Sequence, residues 1–197
     1  MQNQDILPFV IYFFGKLRYN IVMFRHDFFS ARKIAVLGIL TALGLIAFLI
    51  ENAFPPLFGI PGTKMGIANI FTLLALIFYS PAEAFLVVIA RTILGAMFQA
   101  NFSSVMFSFT GGIVAIFAAS LLFYFVYPKI SLIAVSVVSA VLHNLTQNAV
   151  YVLETGTTAN FSLLPYYTLI GIASGAVVGA ICLTIVKILP KRSLQLF

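Results

Sequence analysis

The sequence predicts an all-α integral membrane protein: six transmembrane helices in a compact bundle, both termini cytoplasmic, preceded by an amphipathic N-terminal segment. Three observations carry that prediction. The chain is 62% hydrophobic and only 8% charged, with a mean hydropathy of +1.11, too few charges to cover a water-soluble domain. Its apolar runs approach the length of bilayer spans and are divided by turn-forming residues. Its lysines and arginines gather on alternate connections, so the net charge of +6 reflects topology rather than a nucleic-acid-binding face.

Residues 1–30 are expected to lie on the membrane surface, and residues 31–197 to form the membrane domain. Phe9 to Phe14 is too short to span, and the cations that follow (Lys16, Arg18, Arg25) suit anionic headgroups on the cytoplasmic side. This is not the pattern of a cleavable signal, since the basic residues follow the apolar patch and no small-residue cleavage site is present.

The first spanning helix is predicted from about Ile34 to Ala53. Ala31, Ala35, Gly38 and Ala42 recur at i, i+4, i+7 and i+11, a stripe of small side chains along which a second helix can approach closely. Spacing alone does not say whether that helix belongs to a partner protein or to this chain. Glu51 and Asn52 end the helix, and Phe54 to Gly62, with three prolines and two glycines, forms a greasy non-helical segment and a candidate lid. The second helix is expected to start at Thr63 as N-cap and to run through Lys64 and Asn69 to Tyr79. Ser80-Pro81-Ala82-Glu83 reads as a capping box with proline at the first helical position, opening a third helix that carries Arg91 at its middle.

After a polar turn at Gln99, Asn101, Ser103 and Ser104, the fourth helix is expected from about Val105 to Tyr127, with Gly111, Ala115 and Ala119 as a small-residue seam. The fifth runs from Ile130 to Leu153, and Glu154 to Ser162 makes a polar outer loop. The sixth, about Leu163 to Leu189, carries Gly171, Gly175 and Gly179 in a sustained G-x-x-x-G pattern for close helix contact. The single cysteine, Cys182, can form no internal disulfide and is read as a packing residue. With both termini inside, Arg32, Lys33, Lys129, Lys187, Lys191 and Arg192 are cytoplasmic, Lys64 is outside and Arg91 is within the membrane.

The chemistry-bearing residues converge under this topology. His143, Gln147 and Tyr151 fall at i, i+4 and i+8 on one helix face, with Asn144 and Asn148 in the adjoining row. Hydrocarbon offers them no partners, so they act either as hydrogen-bonding glue between helices or as the wall of a polar cavity. Glu51, Asn52, Lys64, Asn69 and Arg91 are expected at the same outer level, completing a candidate substrate-binding set. The partner of Arg91 is a ligand anion, Glu51, or carbonyls together with Gln147. Lys64 and Arg91 suit an anionic or polar group, and Phe54, Phe58 and Tyr151 could cover a flat ring. No second His or Cys accompanies His143, so neither a metal site nor a cofactor is expected. No phosphate-binding Gly-x-x-x-x-Gly-Lys-Ser/Thr is present, and Asp5 and Asp27 do not cluster as magnesium–diphosphate chemistry requires; the chain does not read as an enzyme.

Lys64-Met65-Gly66-Ile67-Ala68-Asn69, the Arg91 helix and His143-Asn144-x-x-Gln147 together resemble the Gx transporter family, labelled heptaprenyl diphosphate synthase component I, over about residues 31 to 190. That family is similar to the substrate-binding S components of energy-coupling factor (ECF) transporters. The resemblance implies a six-helix subunit in a prokaryotic cell membrane that captures a vitamin-like small molecule from outside. It further implies docking on a transmembrane coupling protein driven by two cytoplasmic ATPases. An Ala-x-x-x-Ala pattern on the first helix commonly makes that docking, and Ala31 and Ala35 match it, with Gly38 and Ala42 continuing the stripe.

Overall fold

A computed structural model describes residues 30–54, 65–99, 102–127 and 129–188. Among them the regular structure is entirely helical: α1 (Ala31–Ala53), α2 (Ala68–Phe78), α3 (Pro81–Gln99), α4 (Phe102–Phe125), α5 (Leu132–Thr155), a short 3-10 helix (Thr158–Leu163) and α6 (Leu164–Ile188). Residues 1–29 of the interfacial segment, the candidate lid beyond Phe54 with Phe58, and Thr63, Lys64, Asn101, Lys191 and Arg192 lie outside the described residues. The chain divides into two compact units, Met1–Val36 and Leu37–Phe197. Described residues of the first unit are confined to the start of α1, and the packing below belongs to the second.

Five helices (α1, α3, α4, α5, and α6 with its preceding 3-10 turn) are long and apolar enough to cross a membrane. This is a multi-pass membrane protein. The second helix is shorter than expected. It begins at Ala68 rather than near Thr63 and has 11 residues. At about 1.5 Å per residue it rises roughly 16 Å, about half the thickness of the hydrocarbon core. The reason is local: Gly66 adopts φ 72°, a left-handed conformation that interrupts a right-handed helix. Glu51 Oε1 accepts the Ile67 N–H at 3.0 Å, so the end of α1 satisfies a donor that the broken turn leaves open.

The other boundaries moved for similar reasons. α4 starts at Phe102, taking Ser103 and Ser104 into its first turn where a polar turn had been expected. Ser131 caps α5 by accepting the Ala134 N–H at 3.1 Å, and Gly156, at φ 66°, ends it. The expected outer loop from Glu154 is therefore partly helix, and the 3-10 turn leads directly into α6. Pro81 is the first residue of α3, as expected, and Ser80 Oγ donates to the buried Glu83 carboxylate.

The closest packing in the bundle is between α5 and α6. A Cβ built on Gly171, Gly175 or Gly179 would come within 2.8, 2.6 or 2.7 Å of the Cα of Val141, Val137 or Ile133. The glycines advance along α6 as their partners recede along α5, so the helices run antiparallel with their backbones nearly touching. This is the contact the G-x-x-x-G pattern predicts. α4 lies on the other side of α5, where Ser139 Oγ donates to the Ala115 carbonyl at 2.8 Å. α1 is peripheral. It buries Leu40, Gly44 and Phe48 at i, i+4 and i+8 and exposes Ile39, Ile46 and Ile50, as a lipid-facing helix does.

Candidate functional site

A cleft of about 580 Å³, its open mouth included, lies between α2, α4, α5 and α6. Small residues make the room: Gly112, Ala115 and Ala119 on α4 and Ala140 on α5 withdraw the walls where larger side chains would meet. Polar groups line it from three of these helices, while α4 gives small and apolar wall. Asn69 and Thr72 come from α2, Ser136, Ser139, His143 and Asn144 from α5, and Ser174 from α6. Leu73, Ile116 and Val178 supply apolar wall. A mostly apolar space that gathers a few polar groups is the arrangement by which proteins hold a small solute.

Of the ten residues proposed from sequence, nine are described, and three of those line the cleft. Asn69, His143 and Asn144 line the cleft. Asn144 also donates from Nδ2 to the Tyr167 carbonyl at 3.3 Å, so part of its hydrogen-bonding capacity ties α5 to α6. Gln147 is buried beside the lining residues: a Cβ on Gly111 would meet its Cγ at 3.0 Å and the His143 ring at 3.1 Å. Its Oε1 has no hydrogen-bond partner. Asn148 is fully buried and donates to the Asn160 carbonyl at 3.4 Å, which fastens the 3-10 turn to α5. Tyr151 packs against Phe107, ring centroids 6.1 Å apart, above the cleft rather than in its wall. Glu51 is turned to the Ile67 amide, and Asn52 Nδ2, at the end of α1, is buried without a hydrogen-bond partner among the described residues. Lys64 lies outside the described residues.

Arg91 is 3% exposed. Its aliphatic stem passes Gly44 of α1, where a Cβ would lie 3.2 Å from Cδ. The guanidinium reaches Asn69, with Nη2 3.5 Å from Oδ1, and Nη1 has no hydrogen-bond partner among the described residues. Among the described residues neither a carbonyl nor Gln147 takes up Arg91, unlike one of the expected alternatives. Glu51 acts on it electrostatically from a distance while holding the Ile67 amide.

The α4 seam has a different role from the one its spacing suggested. Gly111 does receive α5 closely, but Ala115 and Ala119 open onto the cleft and Gly112 replaces Gly111 in that row. The lining also includes Ser136, Ser139 and Ser174, which sequence reasoning passed over. A signal was present: Ser136, Ser139, Ala140, His143, Asn144 and Gln147 form one continuous stripe on α5. Serines are common in membrane helices, where they can bond their own backbone carbonyls, and they do not stand out beside His and Asn.

Among curated proteins none matches the chain. Residues 40–185 match the family described as heptaprenyl diphosphate synthase component I, a stretch that contains α2 to α5 whole together with most of α1 and α6, and so every lining residue of the cleft. The chain belongs to the heptaprenyl diphosphate synthase component I family.

Proposed function

We propose that the chain is the substrate-binding membrane subunit, the S component, of an ECF-type importer in the cell membrane of a prokaryote. It captures a vitamin-like small molecule from outside and docks on a transmembrane coupling protein served by two cytoplasmic ATPases. The observation that carries this reading is the cleft: three helices bring Asn69, Ser139, His143 and Ser174 to the wall of one space, which α4 closes with small residues. Polar groups at that depth are costly unless they meet each other or a solute. The subunit holds no cofactor and performs no catalysis; its work is recognition. α2, together with the residues before it, makes the sixth passage, and both termini lie in the cytoplasm, following the distribution of lysine and arginine.

Gly38 and Ala42 are exposed, and among the described residues nothing lies within 4 Å of a Cβ built on Gly38. That supports assigning the stripe to the coupling protein rather than to packing within the described bundle.

The family's description favours a second reading, a non-catalytic membrane subunit associated with prenyl diphosphate synthesis. Affinity purification of the tagged chain from its native membrane separates the two. An importer subunit brings down a multi-helix membrane protein with nucleotide-binding ATPases. A synthase subunit brings down a soluble, aspartate-rich prenyltransferase.

A further inference from the structure

We infer that the solute held in the cleft carries an oxyanion, a carboxylate or phosphate, which binds Arg91 at the Asn69–Gly112 end of the cleft. The inference rests on the solute-binding reading above and adds the chemical class of the solute. Two of the groups against the guanidinium line the cleft: Asn69 Oδ1 lies 3.5 Å from Nη2, and a Cβ on Gly112 would lie 3.8 Å from the same nitrogen. The charge therefore sits immediately behind the wall, at the seam between α2 and α4. Its own partners are insufficient. Arg91 is 3% exposed, and among the described residues Nη1 has no hydrogen-bond partner and Nη2 makes a single bond at the long limit.

A buried guanidinium has five N–H donors in a planar fork that matches an oxyanion in two parallel bonds. Glu51 does not fill that role: it holds the Ile67 N–H at 3.0 Å through Oε1 and, among the described residues, makes no ion pair with Arg91. Asn69 is a neutral placeholder: rotation of one carboxamide exposes the fork to the cleft. Gly44 and Gly112 preserve the channel in which the arginine lies. The rest of the solute then faces the hydroxyls of Ser139 and Ser174 and the imidazole of His143.

The test uses the full chain purified in neutral detergent and probes that differ only in charge. Benzoate is compared with benzamide, inorganic phosphate is added separately, and nanodiscs of phosphatidylglycerol are compared with phosphatidylcholine. A ligand that binds only the folded state raises Tm. Benzoate or phosphate is expected to raise Tm and benzamide not, with the response lost in Arg91→Gln and retained in part in Arg91→Lys. A response to phosphatidylglycerol alone assigns the same oxyanion chemistry to a lipid headgroup and overturns the small-solute form of the inference.

Asn69→Asp keeps the test decisive if Arg91→Gln does not fold. A carboxylate at that position supplies the anion from within, so free Tm should rise and the benzoate response should vanish. Equal responses to benzoate and benzamide, or a benzoate response that survives in Asn69→Asp, overturn the inference while leaving solute binding intact. No response to any probe, with no small molecule retained by the purified chain, removes the solute-binding reading as well.

Discussion

Gly175 of α6 faces Val137 of α5 so closely that a Cβ on the glycine would come within 2.6 Å of the valine Cα. The neighbouring atom is backbone and cannot swing aside. Gly175→Ala is therefore expected to force the two helices apart and to destabilise the bundle by about 1–3 kcal/mol, the usual cost of overpacking. Gly38→Ala is the control, because its Cβ would meet nothing within 4 Å and alanine is the better helix former. Thermal unfolding of both variants in detergent should show a lower Tm for the first and an equal or higher Tm for the second.

Two of the polar residues on α5 hold the fold together. Asn144 bonds the Tyr167 carbonyl and Asn148 the Asn160 carbonyl, linking α5 to α6 and to the 3-10 turn before it. Alanine at either position should cost about 0.5–1.5 kcal/mol, the net value of a typical hydrogen bond. For Asn148→Ala, solute affinity in the folded fraction should be unchanged, since the residue does not line the cleft. Tm and affinity measured on the same preparations check both statements.

The docking assignment predicts a separation of functions on α1. Ala35→Leu and Gly38→Leu should leave Tm and solute binding near wild type, because both positions are exposed. Co-purification of the coupling protein should be lost. Loss of solute binding with the complex intact would instead make the stripe an internal contact.

Orientation can be tested at two exposed positions at opposite ends of α5, Lys129 and Thr157. In a Cys182→Ala background, an impermeant maleimide applied to intact cells should label Thr157→Cys and spare Lys129→Cys. Labelling of Lys129→Cys alone would invert the topology.

What the sequence disclosed depended on how local each signal is. Helix existence followed from apolar length and from Pro81, whose effect acts within a turn or two, whereas the caps of α5 at Ser131 and Gly156 were not read. The Gly171–Gly175–Gly179 seam was legible because a four-residue repeat of glycine has one main use on a membrane helix. The start of α2 was not, since the strong-looking cap at Thr63 precedes a glycine whose positive φ becomes evident only in the fold. The cleft was half legible. His143, Asn144 and Asn69 announced themselves as polar residues in apolar runs, whereas the space itself is made by Gly112, Ala115, Ala119 and Ala140, which look like packing residues on their own helices. Gln147, Asn148 and Tyr151 share the periodicity of the lining residues, but periodicity fixes a helix face and leaves open how far along that face the cleft extends.

The claim that the cleft holds a solute is tested most directly by native mass spectrometry of the purified full chain beside Ala115→Leu. Ala115 is 5% exposed and lines the cleft, so leucine there fills space that a solute would occupy. Wild type should retain one small molecule of defined mass, and Ala115→Leu, folded by its Tm, should carry none. The same bound mass on both proteins, or no bound mass on either, would contradict it.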